Sequence, residues 1–259
     1  MTTSLDLPEW ERKYHHQLSL LGEIRENKNL LRFDNRYIII SDIASQYYCE
    51  KKVEQKYVNG DIDTEEKLLG REGHEELAEE FVEVTMKEGW EHIFGTSLFS
   101  LSEFLFFAKY KDLFLVFRPD RVLFVNGVPK ILIEFKFSKY TRPFISHHIQ
   151  LQAEGFLFKK LGFDVSSLYY LIIIAPLDAD RDSKYLNDIP KRIFEKLKPN
   201  SNEEHYIFKD INAYLYKFDK ESAKKNLTWA LEYWKKEREA QLTDNKNKCR
   251  SCEYSETCN

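Results

Sequence analysis

The sequence predicts an α/β domain with a mixed central sheet flanked by helices. Three observations carry this. "DTEEKLLGREGHEELAEEFVEVTMKEGW" places Leu77, Phe81 and Val84 at helical spacing. Residues 96–138 then change character, with apolar segments "TSLFSLSEFLFFAK", "LFLVFRPDRVLFVNG" and "VPKILIEFKFSK" separated by turn signals at "KYKD" and "NGVP". Finally "RPFISHHIQLQAEGFLFKKLG" reads as a helix ended by Gly162, and "SSLYYLIIIAP" as a buried strand stopped by Pro176. Helix, strand meander, helix, strand is the order of one sheet with helices packed against it.

The remaining elements follow the same logic. Residues 1–36 are polar and charged, with weak helical signal. In "RYIIISDIASQYYCEKKVEQKYV" the "RYIII" suits a short strand, and Ser41 is a candidate N-cap for a helix running to about Val58 that contains Cys49. The meander predicts three or four antiparallel strands. Residues 177–219 read as a variable charged excursion. "DKESAKKNLTWALEYWKKEREAQ" predicts a helix with Leu227, Leu231 and Trp234 on one face, leading into the tail "KCRSCEYSETCN".

Composition narrows the functional classes. Hydrophobic residues make up 42% of the 259 and aromatics 15%, which fits a folded chain with a ring-rich core rather than a disordered one. A net charge of −4 does not announce a nucleic-acid binder, so such a role needs a locally basic surface. "KFSKYTR", Lys136 to Arg142, is a candidate for contacts to a nucleic-acid backbone. No apolar run approaches about 18 residues and no signal-peptide core opens the chain, so a cytoplasmic protein without membrane contact is expected.

The pattern richest in chemistry is "FRPDRVLF…ILIEFKFSK". Residues two apart in a strand share a face, so Glu134 and Lys136 point one way and Phe135 and Phe137 the other. A hairpin at "VNGVPK" brings Asp120 beside Glu134. Two neighbouring carboxylates repel, and a hard divalent cation such as Mg²⁺ or Mn²⁺ compensates them. Lys136 then supplies a positionable charge for a phosphate or an attacking water, the set needed for phosphodiester hydrolysis. The competing reading is a solvated strand face; the apolar setting of "ILIEFKF" favours function. His74 lies against Gly70, Gly73 and an apolar ridge, a place that suits a core histidine as well as a metal ligand.

"PD" with Asp120, thirteen intervening residues, then "EFK" resembles the PD-(D/E)XK nuclease superfamily, and within it the RecB-like nucleases. Their helical histidine is matched by His74 in "GREGHEEL". Gln150 in "HHIQLQAEGF" matches the glutamine of their Q-x-x-x-Y helix, while Glu154 stands where the tyrosine belongs; Gln152 is a second candidate glutamine. The cysteine layout, Cys49 ahead of the core and Cys249, Cys252 and Cys258 in the tail, is similar to the CRISPR-associated exonuclease family, the fourth of the Cas families. The resemblance covers about residues 36–176 and 220–259, leaving 1–35 as an extension and 177–219 as an insertion in a domain spanning 36–259.

The resemblance implies a restriction-endonuclease-like core and a 4Fe–4S cluster held by the four cysteines. Four thiolates also suit zinc, although one ligand two hundred residues from the others fits the iron–sulfur pattern better. It implies metal-dependent cleavage of single-stranded DNA or overhangs, trimming new spacer DNA for the CRISPR integrase. His74, Asp120, Glu134 and the carbonyl of Phe135 would bind Mn²⁺ or Mg²⁺, and Lys136 with Gln150 would act on water and phosphate. A stand-alone repair or mobile-element nuclease and a non-catalytic iron–sulfur DNA-binding subunit are the alternatives.

Overall fold

The computed structural model describes residues 7–78, 84–177, 182–197 and 202–258. The extension is helical: α1 (Glu9–Glu26) buries Leu20 and Ile24. Its buried Gln17 donates to the carbonyl of Phe107 at 2.9 Å and accepts from the Phe107 amide at 2.8 Å. One side chain thus satisfies both main-chain groups at a sheet edge. The "RYIII" strand is real but short, β1 (Ile38–Ile39).

The single helix expected from Ser41 to Val58 is two. α2 (Ile40–Gln46) is capped by Ile39, with Ser41 inside the helix, and α3 (Glu50–Asn59) begins after an extended Cys49. A buried polar network holds this break. Gln46 Nε2 donates to Glu50 Oε1 at 2.8 Å, and Trp234 Nε1 donates to Gln46 Oε1 at 2.7 Å. Arg238 meets both oxygens of Glu50, each at 2.6 Å, and the Gln241 amide adds a bond at 2.8 Å.

The long helix expected through Trp90 is also interrupted. α4 (Glu65–Ala78) carries His74, and a second helix, α5 (Met86–Gly95), starts afresh at Thr85. Thr85 and Glu88 form a reciprocal capping box, a start signal inside the helical periodicity. Phe81 lies outside the described residues.

The meander holds five strands shared between two sheets. They are β2 (Leu98–Ser102), β3 (Phe106–Tyr110), β4 (Leu113–Phe117), β5 (Arg121–Val125) and β6 (Val128–Phe137). "TSLFSLSEFLFFAK" breaks at Glu103, whose φ of 52° ends β2, and "LFLVFRPDRVLF" breaks around Pro119. Strands β1, β4 and β3 form a small mixed sheet in that order. The expected turns hold: Lys111 and Asp112 join β3 to β4, and Asn126 and Gly127 join β5 to β6, each pair at positive φ as tight hairpins require.

After β6 the chain crosses over through α6 (Ile145–Lys160) and returns as β7 (Tyr169–Ala175), parallel to β6. The expected charged excursion is structural: α7 (Ser183–Lys196) is followed by β8 (Glu203–Phe208) and β9 (Ile211–Lys217), and β9 pairs with β7. The larger sheet therefore runs β2-β5-β6-β7-β9-β8 and is mixed. Its two faces are covered differently. Ile131, Ile133 and Phe135 pack with Leu77 and with Leu186, Ile189 and Ile193 of α7. Leu132, Ile172 and Ile174 pack with the α6 residues Ile149 and Leu151. Two helices end the chain: α8 (Lys220–Trp234), which buries Leu227, Leu231 and Trp234 as expected, and the short α9 (Lys246–Arg250). The core is ring-rich, with Trp90 against Phe94, Phe106 and Phe163. Among the described residues no helix is long and apolar enough to cross a membrane.

Removing one partner from a buried ion pair leaves the other charge uncompensated. Glu50→Ala is therefore expected to lower the unfolding free energy by about 3 kcal/mol in denaturant titrations, whereas Glu221→Ala, at an exposed pair, leaves the midpoint unchanged.

Candidate active site

Period-two alternation in β6 puts Glu134 and Lys136 under α6 and Phe135 on the α7 side. The antiparallel hairpin sets Arg121 of β5 opposite Ile133 of β6. Asp120 thus falls just before β5, in the link between the sheets rather than within a strand, and its Oδ2 accepts from the Phe135 amide at 2.7 Å. The parallel crossover lays α6 over the same face, and Gln150 donates to Glu134 Oε2 at 2.7 Å. The other Glu134 oxygen pairs with Lys136. His74 comes from α4, its Nδ1 3.8 Å from Asp120 Oδ2, with the Phe135 main chain also within its reach.

His74, Asp120, Glu134, Lys136 and Gln150 line one open cavity of about 600 Å³. Gln152 does not: its Oε1 accepts from Asn226 at 3.3 Å, so Gln150 is the glutamine that faces the site. Of the two glycines expected to let α4 approach, only Gly73 is tight. A Cβ there would meet the Phe137 ring at 2.5 Å, whereas Gly70 has open space. The His74 ring sits edge-on to the same Phe137, 5.7 Å between centroids.

Of two further acids in the cavity, Glu103 escaped the sequence reading and Glu154 figured in it only as a departure from a tyrosine. Glu103 joins His74 and Asp120 in a group whose ligand atoms all lie within 4.8 Å of one another. It pairs with Arg118 at 2.9 Å. The signal was present, a lone acid in the apolar run "SLSEFLFF", the same criterion that marks Glu134. Glu154, which replaces the expected tyrosine, is buried in the cavity wall, and its Oε2 has no hydrogen-bond partner among the described residues.

Burial and crowding dominate the electrostatics. Burial, then the Asp120 charge, pushes Glu134 up to about 7. Burial and Asp120 likewise raise Glu103 to about 7. Asp120 and Glu154 are also raised, chiefly by burial. Burial works against the Lys136 ammonium, but the Glu134 and Asp120 carboxylates outweigh it and raise its pKa. Burial, then the Lys136 charge, lowers His74 to about 4, which keeps the imidazole neutral and able to donate a lone pair. The donor set is carboxylate oxygen plus neutral imidazole, with excess acid for one lysine: the chemistry of a divalent cation site.

The four cysteines meet elsewhere. Cys49, at the N-cap of α3, and Cys249, Cys252 and Cys258 of the tail line a second cavity of about 110 Å³. No three of their sulfur atoms lie within 4.8 Å of one another among the described residues. The tail is fixed by buried Tyr254, which donates to the Gly60 carbonyl at 2.8 Å, and by Glu253. Glu253 bonds Lys52 at 2.9 Å and Lys67 of α4 at 2.8 Å, and these lysines hold its pKa at about 2 against the effect of burial.

Two outcomes follow from this geometry. Gly73→Ala must displace Phe137 or α4 and is expected to cost about 1–3 kcal/mol in denaturant titrations, while Gly70→Ala, in open space, stabilises the helix by about 0.5–1 kcal/mol. For Glu134 the sign is that of a raised acid. Below its unfolded value of about 4.3 the group is neutral in both states and costs nothing. The cost of ionising it in the fold grows as pH rises and is complete above about 7. In chelator, Glu134→Gln should therefore melt above the wild type at pH 8, with the advantage gone near pH 4.5.

No protein-family model matches the chain. No curated protein matches it. Among solved structures it is similar to the crystal structure of SSO0001, at 15% identity over 94% of this chain and 95% of that one, with a TM-score of 0.47; a likeness this distant carries no argument about function.

Proposed function

We propose that this protein is a metal-dependent deoxyribonuclease with a RecB-like PD-(D/E)XK core, acting on single-stranded DNA or overhangs. The observation that carries the reading is the convergence of His74, Asp120, Glu134, Lys136 and Gln150 on one cavity, from α4, the β5–β6 hairpin and α6. Mn²⁺ or Mg²⁺ would be held by His74 and Asp120 with Glu134, the Phe135 carbonyl and Glu103 as further donors, and when bound it polarises the phosphate and acidifies a water.

The chain's own residues do the rest. Asp120 is aimed by the Phe135 amide, and neutral His74 offers a lone pair without adding charge. Lys136, paired with Glu134, presents an ammonium that balances negative charge on the phosphate. Gln150 fixes the Glu134 carboxylate, so the acid keeps one orientation during the reaction. Arg71 and Arg118 at the cavity wall favour a polyanion.

The four cysteines fit a 4Fe–4S cluster. Four thiolates lining one cavity also suit zinc, but a ligand two hundred residues from the other three favours the cluster. A cluster with this nuclease core supports assignment to the CRISPR-associated exonuclease family, a cytoplasmic protein trimming prespacer DNA for the integrase.

The test is degradation of end-labelled DNA in Mn²⁺. Glu134→Ala and Lys136→Ala should each lose at least about 100-fold in rate while remaining folded at the assay temperature; cleavage at the wild-type rate by either variant overturns the assignment. Anaerobically purified protein should be brown and carry iron, which colourless, zinc-loaded protein would refute.

A further inference from the structure

The loop that joins β6 to α6 carries an exposed apolar surface that neither the core nor the cavity chemistry uses. Tyr140, Phe144 and Ile145 are 55%, 45% and 55% exposed. Their rings are arranged rather than scattered. Tyr140 and Phe144 meet edge to face with centroids 5.3 Å apart, and Phe144 meets His147 the same way at 5.5 Å.

The loop is pinned along its length. The Ser138 amide donates to the Ala175 carbonyl at 2.9 Å, and the Tyr140 amide to Ser138 Oγ at 3.1 Å. Tyr214 of β9 donates to the Thr141 carbonyl at 3.0 Å, and Lys139 bonds Glu66 at 2.7 Å. The Phe144 amide donates to His147 Nδ1 at 3.3 Å. Rings displayed on a fixed loop lose little conformational entropy when a flat partner stacks on them. Beside the loop lies a cleft of about 430 Å³, bordered by Tyr140 and Thr141 and by the polar Asp210 and Asn212 of the sheet edge.

Position selects the occupant. Tyr140 follows Lys136 by four residues, at most about 14 Å of chain, and Phe144 precedes Gln150 by six. A strand whose phosphate sits at Lys136 therefore has this loop within reach of its neighbouring nucleotides. Arg142, exposed on the same loop, matches the charge of its backbone.

We propose that Tyr140 and Phe144 form a stacking platform for the bases of single-stranded DNA adjoining the scissile phosphate, which selects unpaired strands over duplex because paired bases do not present their faces. This rests on the nuclease reading above. The binding test uses the full chain carrying Glu134→Gln to prevent cleavage, with fluorescent oligothymidine and an abasic phosphodiester of equal length as probes. Replacing both rings, Tyr140→Ala with Phe144→Ala, should weaken oligothymidine binding about tenfold and leave the abasic strand unchanged, while Tyr140→Phe with Phe144→Tyr restores binding. Equal loss on both probes, or no loss on either, overturns the platform. If oligothymidine does not bind the ring-intact protein at all, the DNA reading itself fails together with the platform. Wild-type nuclease activity alongside unchanged binding by the alanine pair removes the platform alone.

Discussion

The site depends on the crowding of Asp120 and Glu134 at the head of one hairpin. Antiparallel pairing forces the two acids together, the sheet buries them, and a single lysine from the same strand offsets only part of the charge. Glu154 adds to the crowding, whereas Glu103 is offset by its pair with Arg118. A hydrophobic replacement at any of these positions would suit the core better, so the arrangement stores an unmet demand for positive charge. That demand is electrostatic in origin and independent of how the surrounding helices arose.

Supporting elements are organised around this demand. The parallel β6–β7 pairing requires a crossover, and the crossover helix is the one that brings Gln150 over Glu134. On the opposite face of the sheet, α4 approaches closely only because Gly73 has no side chain to collide with Phe137. The helix is held at its other end by Lys67, which reaches the tail acid Glu253. His74 is therefore positioned from both sides, by a contact with the sheet and by an ion pair to a segment nearly two hundred residues away.

Much of this was legible because it follows from short-range rules. The parity of Glu134, Phe135 and Lys136 follows from strand periodicity, the Asn126–Gly127 hairpin from its residues, and the fit of α4 from its glycine. The gaps have physical causes. The α2–α3 break depends on Glu50 meeting Arg238, a contact no local pattern encodes. Glu103 was hidden because one left-handed residue splits an apolar run that reads as a single strand. Strand β9 alternates buried and half-buried positions and β8 exposed and half-buried ones, so neither shows the continuous apolar run that marks β7. Glu154 was seen, but as a missing tyrosine rather than as a carboxylate in the cavity.

The tie between Glu253 and Lys67 has a consequence for biosynthesis. Residues 49–78 leave the ribosome about 10–40 s before the tail cysteines at ordinary elongation rates. Throughout that interval α4 lacks its anchor and Cys49 lacks its three companions. The helix that carries His74 can be locked only after residues 249–258 have been made, so a nascent chain that already contains Asp120, Glu134 and Lys136 still lacks a fixed His74. A chain truncated before its cysteines would lose both the second cavity and the fixed placement of His74.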